Sequence, residues 1–431
     1  MQHAAFHYRS LEEVRQTAED MRCFLPLSQN TSVLFAPLDI AGRKVNNRIV
    51  FQPMEGADST DDGNIGVLTR RRYQRFAKAG PGIIWLEAVA TSEIVRATQH
   101  QLYLTKENAD QFRKLNDEIR ETSLRENGYA PLLIMQANNS GRYSKPHGFP
   151  EPLIAYNCPP LEDTPLPEER IVSDETLRQF EEDYGLCARL CEQAGFDGMD
   201  VKCCHRYLSS ELLSAFNRPG AYGGSFENRT RFLKNTLRAA RSAVSGSFIL
   251  TSRLNVYDGF AYPNGWGVAK EGLDVDLTEP MRLILELEDE FHLPLLNITM
   301  GNPYKNPHVN RPYDHGNYVP QEHPFEGLSR VMRAVKDIQN AFPSLPIIGS
   351  AFSYLRQFSP YLAAGMVENG YCAFAGFGRM TLADPDFVRQ LREKGEIDPK
   401  KTCVTCGKCA ALLRGGKCSG CIVRDSEVYK L

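Results

Sequence analysis

The sequence predicts an α/β chain built as a closed (β/α)8 barrel, with a helical appendage before it and a cysteine-rich segment after it. Three observations carry that prediction. Eight strand-like runs alternate with helix-like stretches from about residue 34 to residue 395. The runs are apolar at successive positions rather than at every second one, so both faces of each strand are covered, as in a parallel sheet wrapped by helices. No G-x-G-x-x-G opens a helix near the start, which disfavours the runner-up, a doubly wound open sheet; the fragment Gly376-Phe-Gly378 sits on the last strand. Eight units of this length with enlarged loops make a TIM barrel.

Taken in order, residues 1–33 read as an extension in which Leu11, Val14, Thr17, Ala18 and Met21 share one weakly apolar helical face. The barrel span, 34–395, begins with a strand at 48–53 and a basic helix at 68–79. A strand at 82–90, a helix at 109–126 and a strand at 130–136 follow. Residues 141–172 are too polar and Pro-rich for core. Leu177, Phe180, Tyr184, Cys187, Cys191 and Ala194 then recur at helical steps, with Ser173 or Asp174 placed to cap. The remaining strands are expected at 198–202, 248–253, 295–299, 346–350 and 371–376. Their helices are expected at 232–244, 280–291, 328–342, 354–366 and 387–393. Residues 396–431 form the cysteine-rich segment.

Composition narrows the function classes. The chain has 431 residues, 42% of them hydrophobic, enough for a large core. A net charge of -3 and a pI near 6.3 give no basic field for nucleic acid. No apolar run reaches membrane-spanning length, and the charged residues from Arg9 to Asp20 are not those of a secretory signal. Twelve cysteines in a chain this long fit reduced thiols and a cytoplasmic setting.

Five of those cysteines fall in the nineteen residues 403–421. Cys403, Cys406, Cys418 and Cys421 have the C-x2-C…C-x2-C form of a four-thiolate zinc site. Cys403, Cys406 and Cys409 instead form C-x2-C-x2-C, with one later cysteine completing a four-iron cluster. Zinc has no use for Cys409, which tilts the spacing towards the cluster.

In a barrel the reacting groups lie at the C-terminal ends of the strands. Those positions hold Pro53, Met54 and Glu55; Gln136, Asn138 and Asn139; Lys202, His205 and Tyr207; Arg253; Asn297 and Thr299; and Gly376 to Arg379. So many polar groups at one mouth imply a large polar ligand, and Gly376-Phe-Gly378-Arg379 suits a phosphate, through backbone approach and charge.

Leu34-Phe-Ala-Pro-Leu38, Asn47-Arg-Ile-Val50, Pro53-Met54, Met135-Gln136, Gly141-Arg-Tyr-Ser144, His205-Arg-Tyr-Leu208, Tyr222-Gly-Gly-Ser-Phe-Glu-Asn-Arg-Thr-Arg-Phe232, Arg253-Leu254 and Gly376-Phe-Gly378-Arg379 occur in order. Together they resemble the old yellow enzyme family of FMN-dependent oxidoreductases. The cysteine tail resembles the branch with a [4Fe-4S] cluster, that of 2,4-dienoyl-CoA reductase and trimethylamine dehydrogenase. The resemblance implies that Pro53 and Met54 line the flavin ring, Gln136 bonds its pyrimidine edge and Arg253 sits near N1. Gly378 and Arg379 would hold the phosphate with Gly349 and Ser350. Glu55 stands where other members carry a small group. The cluster ligands would be Cys403, Cys406, Cys409 and Cys421.

The substrate side departs from the family's usual His-x-x-His or His-x-x-Asn pair: here it is Lys202-x-x-His205, with Tyr207 at the proton donor's position. Either Lys202 meets an anionic activating group, or it pairs with Glu55 or another acid at the rim. The resemblance implies an ene-reductase, in which hydride passes from flavin N5 to an activated C=C. A second reading reverses the flow in an amine or metabolite dehydrogenase or demethylase that passes electrons out through the cluster. A third is a non-redox, zinc-containing barrel that binds a phosphorylated ligand. The expected partners are a small unsaturated substrate and a separate electron-donor protein; an oligomer is compatible with the sequence. Residues 141–172, 256–275 and 302–324 are expected to roof the pocket.

Overall fold

The structure, a computed structural model, describes residues 3–314 and 318–430. The barrel strands are β1 Ile49–Phe51, β2 Ile83–Ala90, β3 Leu132–Asn138, β4 Gly198–Val201, β5 Ile249–Asn255, β6 Leu296–Thr299, β7 Ile347–Gly349 and β8 Phe374–Phe377. All eight predicted strands are present, each parallel to its neighbours, and β8 pairs back onto β1. Closure depends on β5, which is interrupted at Ser252. Its first half, Ile249–Thr251, pairs with β4, and its second, Arg253–Asn255, pairs with β6. Cys203 carries the ladder across the break, donating to the Arg253 carbonyl at 3.0 Å and accepting from the Asn255 N–H at 2.8 Å. Every barrel strand therefore has two partners among the described residues, each half of β5 supplying one side.

The helices follow the expected order: Val67–Ala79, Ala109–Asn127, Asp174–Gln193, Phe226–Ala243, Thr278–Phe291, Pro324–Ala341, Ser359–Glu368 and Phe387–Lys394. Ser173, not Asp174, caps its helix by accepting the Thr176 N–H at 3.0 Å. The helix expected from residue 232 starts at Phe226, because Ser225 caps it and Gly224 (φ 81°) ends the preceding turn. The helix expected from 354 opens instead as a 3-10 stretch, Phe352–Phe358, kinked at Arg356.

A hairpin not expected from the sequence, Leu38–Ile40 with Arg43–Val45, plugs the N-terminal end of the barrel. Its Ile40 and Val45 join Val50, Trp85, Ile134, Ile249, Ile348 and Phe374 in a core inside the barrel, while the larger core lies between strands and helices. Before it, helix Leu11–Asp20 is capped by Ser10 and buries Val14 and Ala18, and Tyr8 stacks on Phe325 at 5.2 Å. The cysteine-rich segment crosses the opposite end. Asp425 accepts from Arg71 and Arg75 on the first barrel helix at 2.7 and 2.8 Å, and Arg414 donates to the Pro303 carbonyl beyond β6 at 2.7 Å. No helix among the described residues is long and apolar enough to cross a membrane.

Candidate active site

The C-terminal ends of the strands open into a cavity of about 160 Å³. Pro53, Met54 and Glu55 reach it from β1, Gln136 from β3, and Lys202, His205 and Tyr207 from β4. Arg253 comes from β5, Ser350 from β7, and Gly378 and Arg379 from β8. Gly349, the remaining residue expected here, is not on this wall; a Cβ there would face Val335, Phe352 and Cys372 on the outer side of the barrel.

The floor is a polar layer. Gln52 and Asn297 exchange amide hydrogen bonds at 3.1 and 2.8 Å, a buried pair that anchors the start of Pro53-Met54. A side chain at Gly376 would collide with the Gln52 amide, and one at Gly378 would lie 2.9 Å from the Met54 sulfur. Asp200, fully buried in β4, accepts from the Gln136 amide at 2.7 Å, the Trp85 indole at 2.8 Å and the Arg253 backbone N–H at 2.6 Å. Burial raises its carboxyl to about 6, against the pull of those three donors. Asp200 also turns the amide oxygen of Gln136 away from itself, leaving it without a partner among the described hydrogen bonds. Arg253 has no ion pair among the described residues, and its buried Nε lacks a partner. Burial pulls its guanidinium below the ordinary value, with Cys204 and Asp200 opposing.

Above this floor lies a linked set of groups. Lys202 Nζ donates to Glu55 Oε1 at 2.9 Å and sits 3.7 Å from the centre of the Tyr207 ring. The Tyr207 hydroxyl donates to Glu55 at 3.2 Å and meets the Tyr304 hydroxyl at 2.9 Å, while Tyr304 stacks on Tyr143 at 4.0 Å. Burial, then Glu55, hold Tyr207 well above the ordinary phenol value, so it keeps its proton. His205 is held well below its ordinary value by burial and by Arg253 and Lys202; it is a neutral imidazole whose Nε2 accepts from Asn310 at 3.2 Å. The pairing of Lys202 with Glu55, one of the two expected possibilities, therefore occurs within the cavity wall.

A strained turn aims these side chains. His205 and Arg206 are both left-handed, φ 63° and 61°. Arg206, fully buried, donates to Asp258 at 2.8 Å, to the Tyr156 hydroxyl at 3.0 Å and to the Asn264 carbonyl at 3.2 Å, and also to Ser214. It thus ties the β4 turn to the expected roof segments 141–172 and 256–275. The roof stretch 302–324 supplies Tyr304, Asn310 and Arg311, although residues 315–317 lie outside the described ones. Tyr304, Arg311, Gln52, Asp200 and Arg414 were not singled out from sequence. Of these only Asp200 carried a local signal, an acid inside an apolar strand.

In the tail, Cys403, Cys406, Cys409 and Cys421 ring a second cavity of about 20 Å³, and Cys418 lies outside that ring. Burial pushes the Cys403 thiol up to about 11, against the pull of Arg379. Among the described residues no three His, Cys, Asp or Glu side chains close on a point where one metal ion would sit. Ligands of a four-iron cage each take a different iron and stand around a volume rather than a point.

Comparison with known proteins identifies the family. The family model for NADH:flavin oxidoreductase / NADH oxidase matches residues 33–292, more than half of the chain. The chain belongs to this FMN-dependent, old yellow enzyme-like family. It is 24% identical over 410 residues to the bilirubin reductase of Mediterraneibacter gnavus (strain CC55_001C), covering 92% of this chain and 57% of that protein. It superposes on 2-naphthoyl-CoA reductase in complex with 2-naphthoyl-CoA with a TM-score of 0.75 at 22% identity, covering 91% of this chain and 57% of that one. With the 6-hydroxypseudooxynicotine amine oxidase of Pseudomonas geniculata N1 the TM-score is 0.71 at 18% identity, covering 93% and 56%. These structural likenesses carry the fold, and the chain spans little more than half the length of these three relatives. The mouth of this family member fits FMN on its own geometry. It offers a cavity at the strand ends, a buried guanidinium with an unpartnered Nε, an amide acceptor on Gln136 with no partner among the described hydrogen bonds, and glycines at 376 and 378 where a side chain would intrude.

Proposed function

We propose that the protein is an FMN- and [4Fe-4S]-dependent ene-reductase that acts on an activated alkene bearing an anionic group, such as an enoate. The observation that carries this reading is the charge of the cavity. Among the described residues, Lys202, Arg253, Arg311, Arg379 and Arg414 line it, against one carboxylate, that of Glu55, which Lys202 already engages. A phosphate and an electron-rich flavin edge account for Arg379 and Arg253, and the surplus favours an anionic substrate over a protonated amine.

FMN held by Gln136, Arg253 and Arg379 would, once reduced, supply the hydride. The neutral His205 orients the activating group, Lys202 supplies charge beside it, and Tyr207, which keeps its proton in this setting, delivers that proton to the α-carbon. Glu55 and Tyr304 fix the Tyr207 hydroxyl at that place. The four thiolates of Cys403, Cys406, Cys409 and Cys421 would hold the cluster, and a separate electron-donor protein fits as its source of electrons.

A second reading, amine oxidation, draws on the aromatic wall of Tyr207 and Tyr304, the latter backed by Tyr143, which suits an alkylammonium ion. Lys202 already occupies the face of Tyr207, which makes this the weaker reading. The test is anaerobic spectroscopy of purified protein. Reduced protein should be reoxidised by cinnamate, and oxidised protein should not be bleached by sarcosine or trimethylamine; the reverse pattern would replace the first reading with the second.

A further inference from the structure

We infer that the outer face of the cysteine-rich segment is the docking surface for an acidic electron-carrier protein, which meets the chain over the cavity that the four cysteines ring. The inference deepens the cofactor reading above and rests on it. Residues 400–430 carry seven basic and two acidic side chains, a net of +5 in a chain whose total is -3, so the remainder of the chain carries -8. All seven basic side chains are exposed, and none makes an ion pair among the described residues. Of the two acids, Asp425 is already engaged by Arg71 and Arg75. Lys408 and Arg424 stand on the wall of the cysteine cavity beside Val404, Ile422 and Val423. Val423 is 40% exposed, and Val404 and Ile422 are half-buried.

A basic face on an acidic body orients an approaching protein as well as attracting it. The barrel repels an acidic carrier and the segment draws it in, so encounter is steered to the side that holds the cysteines. The cations supply the charged rim, and Val404, Ile422 and Val423 give an apolar centre on which two surfaces can close. Cys406, Cys409 and Cys421 are themselves half-buried, so a cluster held by them lies close beneath this face. A single-stranded nucleic acid would meet the same cations but finds no ring to stack on, because Tyr429, the one aromatic residue of 400–430, is buried. The carrier gives up one electron in each encounter and is itself oxidised. The flavin takes up two electrons and one proton for each hydride it delivers, so two encounters serve one turnover.

The experiment uses the full chain, purified without air and loaded with both cofactors, and an acidic two-cluster bacterial ferredoxin as the carrier. Binding is measured by calorimetry, and its affinity should fall about tenfold between about 50 and 300 mM NaCl. Lys408→Glu and Lys417→Glu should each weaken binding about fivefold and slow reduction of the protein by reduced ferredoxin. Reduction by dithionite, a donor too small to need the face, should change less than about twofold. Lys44→Glu makes the same charge change on the hairpin at the opposite end of the barrel, and should leave ferredoxin binding within about twofold of wild type. Iron content is measured for every variant; should Lys408→Glu lose iron, Lys417→Glu decides. Absence of ferredoxin binding, an affinity indifferent to salt, segment variants no weaker than Lys44→Glu, or a preference for basic cytochrome c or a single-stranded oligonucleotide overturns this inference and leaves the cofactor reading intact. Protein that takes up no iron overturns both.

Discussion

Lys202 and Glu55 illustrate how a site residue is held by a partner far away in the chain, a pairing the sequence offered as one of two possibilities. Their side chains are only 2% and 15% exposed, so each depends on the other for compensation. Lys202→Met should destabilise the protein by about 3 kcal/mol by stranding Glu55 beside Tyr207, whereas Lys202→Met with Glu55→Gln should recover at least half of that loss. Denaturant midpoints of the two singles and the double give the coupling, and additive losses would mean the pair contributes nothing. Asp200 makes a second prediction. Because its folded value is raised to about 6, the folded state takes up its proton more readily than the unfolded chain, so the contribution is largest in acid and is lost as pH rises through 6. The stability difference between wild type and Asp200→Asn should therefore shift against the wild type by up to about 1.4 kcal/mol per pH unit between pH 4 and 6, and flatten above. A difference independent of pH across that window would show that Asp200 is not perturbed.

The turn after β4 shows the same dependence at the scale of an element. Two successive left-handed residues without glycine are strained, and the Arg206 network is what holds them. Arg206→Gly relieves about 1 kcal/mol of backbone strain but leaves Asp258 buried without its cation, for a net loss of about 2–4 kcal/mol. Adding Asp258→Asn should restore most of this, as read by urea denaturation; an Arg206→Gly protein as stable as wild type would show that the network does not hold the turn. Elements whose cause is local were legible in the sequence. Ser173 and Ser225 cap the helices that follow them, although only the first was noticed. The strand ends that deliver Glu55, Gln136, Lys202 and Arg253 follow from apolar runs of defined length. The hairpin at Leu38–Val45 was not legible, because its strands are three residues long and only Ile40 and Val45 of its outer positions are buried. Arg311, Tyr304 and Arg414 were missed for a related reason. They reach the cavity from loops and from a short helix among the cysteines, where no period announces which side chain points inward.

For the molecule as a whole, the closed ring and the strap across its mouth are two structures with separate anchors. The ring was legible from eight alternating units, but its closure through the break at Ser252 is a tertiary event with no sequence mark. The strap is joined to the barrel by Asp425 with Arg71 and Arg75, by Ser419 donating to the Gly56 carbonyl at 2.6 Å, and by Arg414 with Pro303. The Gly56 contact lands one residue after Glu55, so the strap and the β1 loop that carries Glu55 are mechanically joined. Asp425 is 10% exposed at its side chain and is the only acid that meets two cations there, so its loss should release the strap while leaving the ring intact. Asp425→Asn is expected to raise the rate of proteolytic nicking within residues 403–430 by roughly fivefold, the population change that about 1 kcal/mol of local destabilisation produces. The unfolding midpoint of the barrel should stay within experimental error, because no strand or barrel helix loses a core contact. If nicking is unchanged while the barrel midpoint falls, the strap is part of the cooperative core, and the two-structure description gives way to a single folding unit.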